Sequence, residues 1–189
     1  SYFYFIGVYN VPVPCVPSVP VRRKEQIIMF TDDFKQTITD FEYIRPQLQK
    51  MMGGQIISVE GTGELAQVLD MRCGIDYLLV TADGVRGIAS RIQHGHCWRT
   101  FTVRASKTNG ATTEYEKRSV ALLHDFIYPY WTVQAYIHEG MARIGYVRTY
   151  DLYKYIWEHD VKARYTDNAK FYVVDWDSVP TSTATIFLR

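Results

Sequence analysis

The sequence has few cysteines. It contains three among 189 residues, namely Cys15, Cys73 and Cys97. Small secreted proteins that depend on disulfides carry a larger and even set, so this count predicts no disulfide framework. We therefore expect a reducing compartment and a cytoplasmic location.

The sequence also lacks a long apolar run and a strong net charge. No stretch approaches the ~18 consecutive apolar residues of a transmembrane helix, so we expect no membrane partner. The first residues show no basic region before an apolar stretch, and we expect no secretory signal. The formal net charge is +1, so any surface that binds DNA or RNA has to be a local one.

Proline is concentrated in one segment. Four of the seven prolines lie in residues 10–21, and proline has no backbone N–H to donate to a sheet. We expect residues 1–21 to form an extended N-terminal arm that lies on its own domain or holds a second copy in a homo-oligomer. With 47% apolar residues the chain can bury a substantial core, and we expect residues 22–189 to fold as one domain.

Apolar periodicity predicts a mixture of strands and helices. We expect a strand over 25–30, then a helix from a cap within residues 31–33 to about residue 52, ended or kinked by Pro46. The further predicted elements are a strand over 55–60, a helix over 63–72, strands over 75–80, 85–93 and 98–104, a helix capped by Thr112 or Thr113, strands over 131–138 and 141–148, a helix capped by Thr149, a polar loop over 160–170, and strands over 171–176 and 185–188. This order predicts an α/β or α+β fold with a central mixed sheet flanked by helices.

Residues 63–93 carry the most informative pattern. Gly74-Ile75-Asp76 places a carboxylate in an otherwise apolar predicted strand, and Asp83-Gly84 predicts a tight hairpin turn into the next strand. An ionised carboxylate in a buried strand is unfavourable unless it is paired, hydrogen-bonded or bound to metal. Asp76 is therefore either a functional group or the partner of an arginine on the returning strand.

This succession of helix, Asp-bearing strand, hairpin and returning strand resembles the core of the PD-(D/E)XK nucleases, the restriction-endonuclease-like fold, and is most similar to small Holliday-junction resolvases. In that family a helix carries a Glu, and a Gly-Val/Ile-Asp strand carries the first metal-binding carboxylate. Glu64 and Asp76 match these two positions. The resemblance implies that Asp76 and Glu64 hold Mg²⁺ or Mn²⁺ for the hydrolysis of phosphodiester bonds.

The third motif of that family, a Glu-x-Lys on the returning strand, is missing. Two registers of residues 86–93 place either Ala89 and Arg91, or Arg91 and Gln93, in its positions. Arginine can stabilise developing charge on a phosphate but is a poor base, and glutamine offers a metal only a neutral oxygen. The resemblance thus implies a catalytic set of Glu64, Asp76, Arg91 and Gln93 in a site that is either altered or inactive.

Each candidate has a structural alternative. Asp76 could form an ion pair with Arg91 or Arg86, and Glu64 could be an ordinary acid in the first turn of a helix. Glu114 or Glu116 could supply a displaced carboxylate, although acids there are more often solvated. The His94-Gly95-His96-Cys97 segment (residues 94–97) could bind a transition metal, but it has no second Cys/His pair beside it, and a loop is favoured.

Basic residues gather on one predicted strand, the loop after it and the next helix start. They are Arg99, Arg104, Lys107, Lys117 and Arg118. Helix N-termini attract phosphate, and basic side chains neutralise backbone phosphates. We expect these five residues to bind DNA or RNA, and the alternative is an ordinary solvated face.

These patterns favour a nucleic-acid-binding protein with a restriction-endonuclease-like fold that is a divalent-metal-dependent nuclease if the altered site is functional. The alternative is a catalytically inactive interaction or assembly protein on the same scaffold, either a structural subunit or an inhibitor. The absent Glu-x-Lys favours the alternative, whereas Gly74-Ile75-Asp76 and the basic residues favour the nuclease.

Overall fold

The structure is a computed structural model that describes residues 23–59, 63–107, 110–166 and 169–188. The chain divides into two compact units, residues 1–36 and residues 37–189. The predicted arm over residues 1–21, with its proposed role in a homo-oligomer, lies outside the described residues. The second unit holds both sheets and the candidate site.

Four helices and nine strands follow one another along the described chain. The helices are α1 (Arg23–Met52), α2 (Glu64–Gln67, continued by a π-helical turn over Val68–Arg72), α3 (Glu114–Leu123) and α4 (Thr149–Glu158). The strands are β1 (Gln55–Ser58), β2 (Tyr77–Thr81), β3 (Gly84–His94), β4 (Thr100–Lys107), β5 (Trp131–His138), β6 (Met141–Arg148), β7 (Ala163–Thr166), β8 (Ala169–Asp175) and β9 (Thr183–Leu188).

The strands form two sheets. A six-stranded sheet has the order β1-β2-β3-β5-β6-β9, and a three-stranded sheet has the order β4-β8-β7. Strands β3 and β5 are parallel, and the other neighbours are antiparallel. Parallel neighbours need a crossover connection, and here the chain passes through β4 and α3 between them. The predicted α+β class with a central mixed sheet is confirmed.

The main core lies between α1 and the six-stranded sheet. Phe41, Ile44 and Leu48 recur at helical spacing on α1 and are almost completely buried. The ring of Phe41 stacks on that of Tyr77, with centroids 3.5 Å apart. Ile88 and Val133, on the two parallel strands, are fully buried in the same cluster, so the parallel pair is anchored by apolar contacts.

A second core joins the three-stranded sheet to α4. Phe101 and Val103 of β4 and Leu152 and Tyr153 of α4 are fully buried there. Trp176, in a short 3₁₀ turn after β8, fills the remaining space. The two cores hold β3, β5, β4 and α3 in fixed relative positions, and the candidate site is built from these elements.

The strongest local signals predicted their elements well. The hairpin turn at Asp83-Gly84 forms as expected and joins β2 to β3. Strands β5 and β6 have the predicted bounds and meet at a turn in which Glu139 and Gly140 both adopt positive φ.

Three predicted features are wrong. Thr149 does not cap α4, since Arg148 is the N-cap and Thr149 is the first residue of the helix. Residues 25–30 are helical, and α1 begins at Arg23 and continues through Pro46, because a short apolar run has no periodicity that separates a strand from a helix. Residues 160–170 are not a loop, since they contain β7 and the start of β8. The alternation of β7 is weak because it is an edge strand with three exposed residues of four.

Within the described residues, no helix combines the length and apolar character needed to cross a membrane.

Candidate active site

Asp76 and Glu114 line one cleft although they come from different elements. Asp76 directly precedes β2, and Glu114 is the first residue of α3. The start of α3 is fixed by a capping box, in which the Thr113 hydroxyl accepts a hydrogen bond from the Glu116 N–H at 3.3 Å and the Thr113 N–H donates to Glu116 Oε2 at 2.7 Å. The cap thereby fixes the position from which the Glu114 side chain extends.

The first cleft has a volume of about 160 Å³ and combines both signs of charge. Its charged lining residues are Asp76, Arg91, Glu114 and Arg118. Polar side chains of β5 complete the floor, because Arg91 on β3 pairs in register with Gln134 on β5. The cleft therefore lies over the parallel pair of strands, beside the N-terminus of α3.

The backbone around Asp76 is firmly hydrogen-bonded. Its N–H donates to the Ile88 carbonyl at 2.9 Å, and its own carbonyl accepts from Val59 N–H at 3.2 Å. The side-chain Oδ2 accepts the N–H of Ser90 at 2.7 Å. Since the residue cannot turn away without breaking these bonds, its carboxylate is held at the cleft.

The neighbours of the Asp76 carboxylate offset the unfavourable burial of its charge only in part. Burial raises its pKa from 3.8 to about 6, although the hydrogen bond from Ser90 and the charge of Arg118 work to lower it. Among the described residues, no ion pair joins Asp76 to Arg86 or Arg91. Arg86 lies over the ring of Tyr130, 4.7 Å from its centroid. Arg91 instead binds Glu114. The alternative of a hairpin ion pair was therefore wrong.

Glu114 is, by contrast, fully compensated. Its Oε2 lies 2.5 Å from Arg91 Nη2, and its Oε1 lies 3.6 Å from Arg118 Nη1. Burial acts to raise the pKa of Glu114, but the two arginines outweigh it and hold the pKa below its usual range. Glu114 is therefore ionised at neutral pH, whereas the pKa of Asp76 lies closer to neutrality.

Arg118 is buried, with 8% of its surface exposed. It therefore lies inside the cleft and not on a solvated face, and its expected contact with nucleic acid stays a prediction. Burial works against its charge, but Tyr153, Glu114 and Asp76 together raise its pKa, with a hydrogen bond to Tyr153 among the causes. The Nε atom of Arg118 is buried and has no hydrogen-bond partner.

A second cleft of about 180 Å³ adjoins the first. Arg104, Lys117 and Arg118 line it together with Glu114. Because Glu114 and Arg118 line both clefts, the two clefts are adjacent, and the first carries mixed charge whereas the second is mainly basic.

Phe171 organises two of the arginines. The guanidinium carbons of Arg91 and Arg104 lie 5.4 Å and 5.6 Å from the centroid of its ring, within the range of cation–π contacts. Phe171 on β8 pairs in register with Arg104 on β4. The three-stranded sheet thereby brings the basic half of the site against β3.

The other predicted residues lie apart from this centre. Glu64 is exposed and lines neither cleft. Gln93 accepts a hydrogen bond from Gln134 at 3.0 Å, so it reaches the cleft only through that residue. Arg99 is exposed and binds Asp177 at 2.8 Å, and Lys107 ends β4 opposite Ala169.

The His94-to-Cys97 segment does not form a metal centre. His94 ends β3 and its Nε2 lies 2.6 Å from Asp40 Oδ2, while His96 and Cys97 belong to the connection to β4. Nowhere in the described residues do three His, Cys, Asp or Glu side chains come together as metal ligands.

Sequence reasoning missed Gln134, Phe171 and the buried role of Arg118. Gln134 did carry a signal, because it is a polar residue within a strand that is otherwise mostly apolar, and it is 1% exposed. Phe171 carried none, since its role depends on strand register between β4 and β8.

Comparison with known proteins gives no match to any family model, curated protein or solved structure. The functional interpretation accordingly depends on the geometry of the two clefts.

Proposed function

We propose that this protein binds nucleic acid through its phosphates at the paired clefts and hydrolyses a phosphodiester bond there with the help of a divalent cation. One observation carries the proposal: two carboxylates, Asp76 and Glu114, share a cleft with Arg91 and Arg118 and adjoin a basic cleft. Carboxylates suit a hard cation, and the guanidiniums suit a phosphate. One site thus offers carboxylates to the cation and guanidiniums to the phosphate.

The side chains present fit Mg²⁺ or Mn²⁺. Magnesium is typically held by one or two carboxylates, with water and substrate phosphate oxygens supplying the rest. Asp76 and Glu114 would hold the cation, which when bound polarises the phosphate and lowers the pKa of a coordinated water. The raised pKa of Asp76 fits this role, because a carboxylate that binds a cation gains the compensation that its own protein neighbours leave incomplete.

The resemblance noted in the sequence is retained in part by this proposal. Asp76 keeps the role of the family's Asp, but Glu114 takes the place that we had given to Glu64. The Ser90 hydroxyl is buried without a hydrogen-bond partner and lines the same cleft, so it is available to a bound water or phosphate oxygen. Arg91 and Arg118 would stabilise negative charge as it develops on the phosphate. Arginine stays protonated and is a poor base, so this electrostatic role suits it better than proton transfer.

A second candidate function is binding without cleavage. The observation that favours it is the 2.5 Å ion pair between Arg91 and Glu114, which occupies one carboxylate that the cation needs. If this pair persists when nucleic acid is bound, the protein is an interaction or assembly protein that recognises phosphate and leaves it intact.

The deciding experiment incubates the protein with labelled single- and double-stranded DNA and RNA, with Mg²⁺, Mn²⁺ or a chelator. We expect metal-dependent cleavage by the parent and its loss in Asp76→Asn and in Glu114→Gln. Glu64→Gln is the matched control, since Glu64 is an exposed acid outside both clefts, and we expect it to cleave like the parent.

The outcomes separate the candidates. Shifted bands without cleavage in any metal would favour the binding function. Neither binding nor cleavage would refute both. Equal loss of activity in Glu64→Gln and Glu114→Gln would contradict the placement of the cation.

A further inference from the structure

We infer that the second cleft is a subsite for a phosphate that neighbours the reacting one on the same nucleic-acid strand, with Arg104 as its main ligand and Lys117 beside it. This inference depends on the proposed function, since it assigns the reacting phosphate to the first cleft. It makes the ligand a stretch of strand with at least two phosphates, not a mononucleotide.

Arg104 has a charge that its protein neighbours do not balance. It is half-buried, its Nε atom is buried with no hydrogen-bond partner, and it forms no ion pair among the described residues. Burial and the charge of Arg91 lower its pKa, and the charge of Glu114 offsets them only in part. A guanidinium that is repelled by its neighbour and lacks an acid of its own is stabilised by an incoming anion.

The contrast with the nearby Arg91 supports this assignment. Arg91 and Arg104 stack on the same Phe171 ring, yet Arg91 has Glu114 at 2.5 Å and Arg104 has no such partner. The stacking also fixes the direction of the Arg104 guanidinium, so that less side-chain entropy is lost when a ligand binds.

The charged residues around the second cleft favour an anion such as a phosphate. Lys117 and Arg118 line the cleft with Arg104, and Arg118 contributes a second buried Nε that has no hydrogen-bond partner. The one carboxylate in the lining, Glu114, is already held by Arg91 and Arg118. Among its lining residues the cleft carries three cations and one acid, which is a net positive charge.

The two clefts share Glu114 and Arg118, so their ligands lie side by side. Successive phosphates of a nucleic-acid strand are separated by one nucleoside, so we assign one phosphate of a strand to each cleft. This is the reason to assign the second cleft to the backbone of a strand and not to a free phosphate ion.

The test measures binding in a chelator, so it does not depend on cleavage. A labelled oligonucleotide and a series in which one linkage at a time is a neutral methylphosphonate are titrated by fluorescence anisotropy against the parent, Arg104→Gln and Arg104→Lys. We expect Arg104→Gln to weaken binding and to reduce the salt slope by about 1, with substantial recovery in Arg104→Lys.

The decisive result is a coupling between one linkage and Arg104. In the parent, neutralising the linkage that occupies the second cleft should lower affinity, whereas in Arg104→Gln the same substitution should cause no further loss. Arg148→Gln is the matched control, because Arg148 is an exposed arginine already paired with Asp151, and we expect it to keep the full effect of that linkage.

The failures are distinguishable. If the parent binds oligonucleotides but no linkage is coupled to Arg104, the subsite is refuted and the proposed function stands. If the parent binds no nucleic acid, both are refuted. If inorganic phosphate binds as tightly as the oligonucleotide and no linkage is coupled, the cleft takes a free anion and the strand assignment is wrong.

Folding of the variants is checked by thermal unfolding. Because Arg104 has no ion pair to lose, we expect Arg104→Gln to be at least as stable as the parent. Should it fail to fold, Lys117→Gln on the exposed face of α3 is tested against the same series, and absence of coupling at every linkage there refutes the subsite.

Discussion

Asp76→Asn should stabilise the folded protein above about pH 6. The parent carries a carboxylate whose pKa is raised from 3.8 to about 6, mainly because burial removes it from water. Near neutral pH the folded state therefore holds an ionised carboxylate in buried surroundings that disfavour its charge relative to the unfolded chain. Asparagine keeps the shape and can still accept the hydrogen bond from the Ser90 N–H, but it carries no charge.

The magnitude follows from the difference between the two pKa values. One pKa unit corresponds to about 1.4 kcal/mol, so ionising Asp76 costs the folded state at most about 3 kcal/mol. Because the cleft admits solvent, we expect a gain of about 1–3 kcal/mol in the free energy of unfolding.

The direction of the pH dependence is fixed by proton linkage. The folded state binds the Asp76 proton more tightly than the unfolded state does. This tighter binding stabilises the folded state fully below pH 3.8, and the stabilisation is lost as the pH rises through about 6. Parent and variant should therefore differ little at the lowest pH and differ most above the folded-state pKa.

The assay is urea-induced unfolding followed by tryptophan fluorescence, at steps of pH from about 4 to 8. Asp83→Asn is the matched control, since Asp83 is an exposed carboxylate in the β2–β3 turn, and we expect no pH-dependent difference there. A loss of stability in Asp76→Asn at neutral pH would show that the charge is structurally required, and the assignment of Asp76 as a destabilised functional carboxylate would be refuted.

Three further predictions concern packing and the cap of α3. Gly145→Ala should lower the free energy of unfolding by about 1–3 kcal/mol, because an added Cβ would lie 2.5 Å from the Trp176 ring. Gly63 has open space around it, so Gly63→Ala should change the free energy of unfolding little. Equal urea midpoints for the two variants would contradict this prediction. Phe41→Ala should cost about 3–5 kcal/mol, since Phe41 is 1% exposed and stacks on Tyr77, and a loss below about 1 kcal/mol in the same assay would mean that α1 does not form the main core. Thr113→Ala should lower the free energy of unfolding by about 1 kcal/mol and also reduce nucleic-acid cleavage, because the cap positions Glu114. A lowered urea midpoint with unchanged cleavage would show that the cap stabilises α3 without positioning Glu114 for the reaction.

The elements that could be predicted from sequence are those with local causes. The hairpin at Asp83-Gly84 and the cap at Thr113 depend on residues a few positions apart, and both form as predicted. Asp76 stood out for the same reason, as a carboxylate beside an apolar run. The mixed sheet followed from the order of these elements.

The composition of the site could be predicted only in part, because it depends on contacts between distant residues. Arg91 and Glu114 are 23 positions apart in the chain and meet only because α3 packs on β4 and places Glu114 beside Arg91 of β3. The burial of Arg118 depends on α4, whose Tyr153 lies beside it. No spacing rule in the sequence indicates either contact, so Glu64, the acid at the expected position in the motif, was chosen over Glu114.

Because β3 and β5 are parallel, we expect the clefts to form later in folding than the β2–β3 hairpin. The hairpin of β2 and β3 closes locally, but Arg91 meets Glu114, and β3 pairs with Gln134 of β5, only after the chain has passed through β4 and α3. Contacts between distant residues generally form more slowly than local ones. The onset of phosphate binding during refolding would thus mark the moment at which the crossover closes, and it should lag behind the formation of the β2–β3 hairpin.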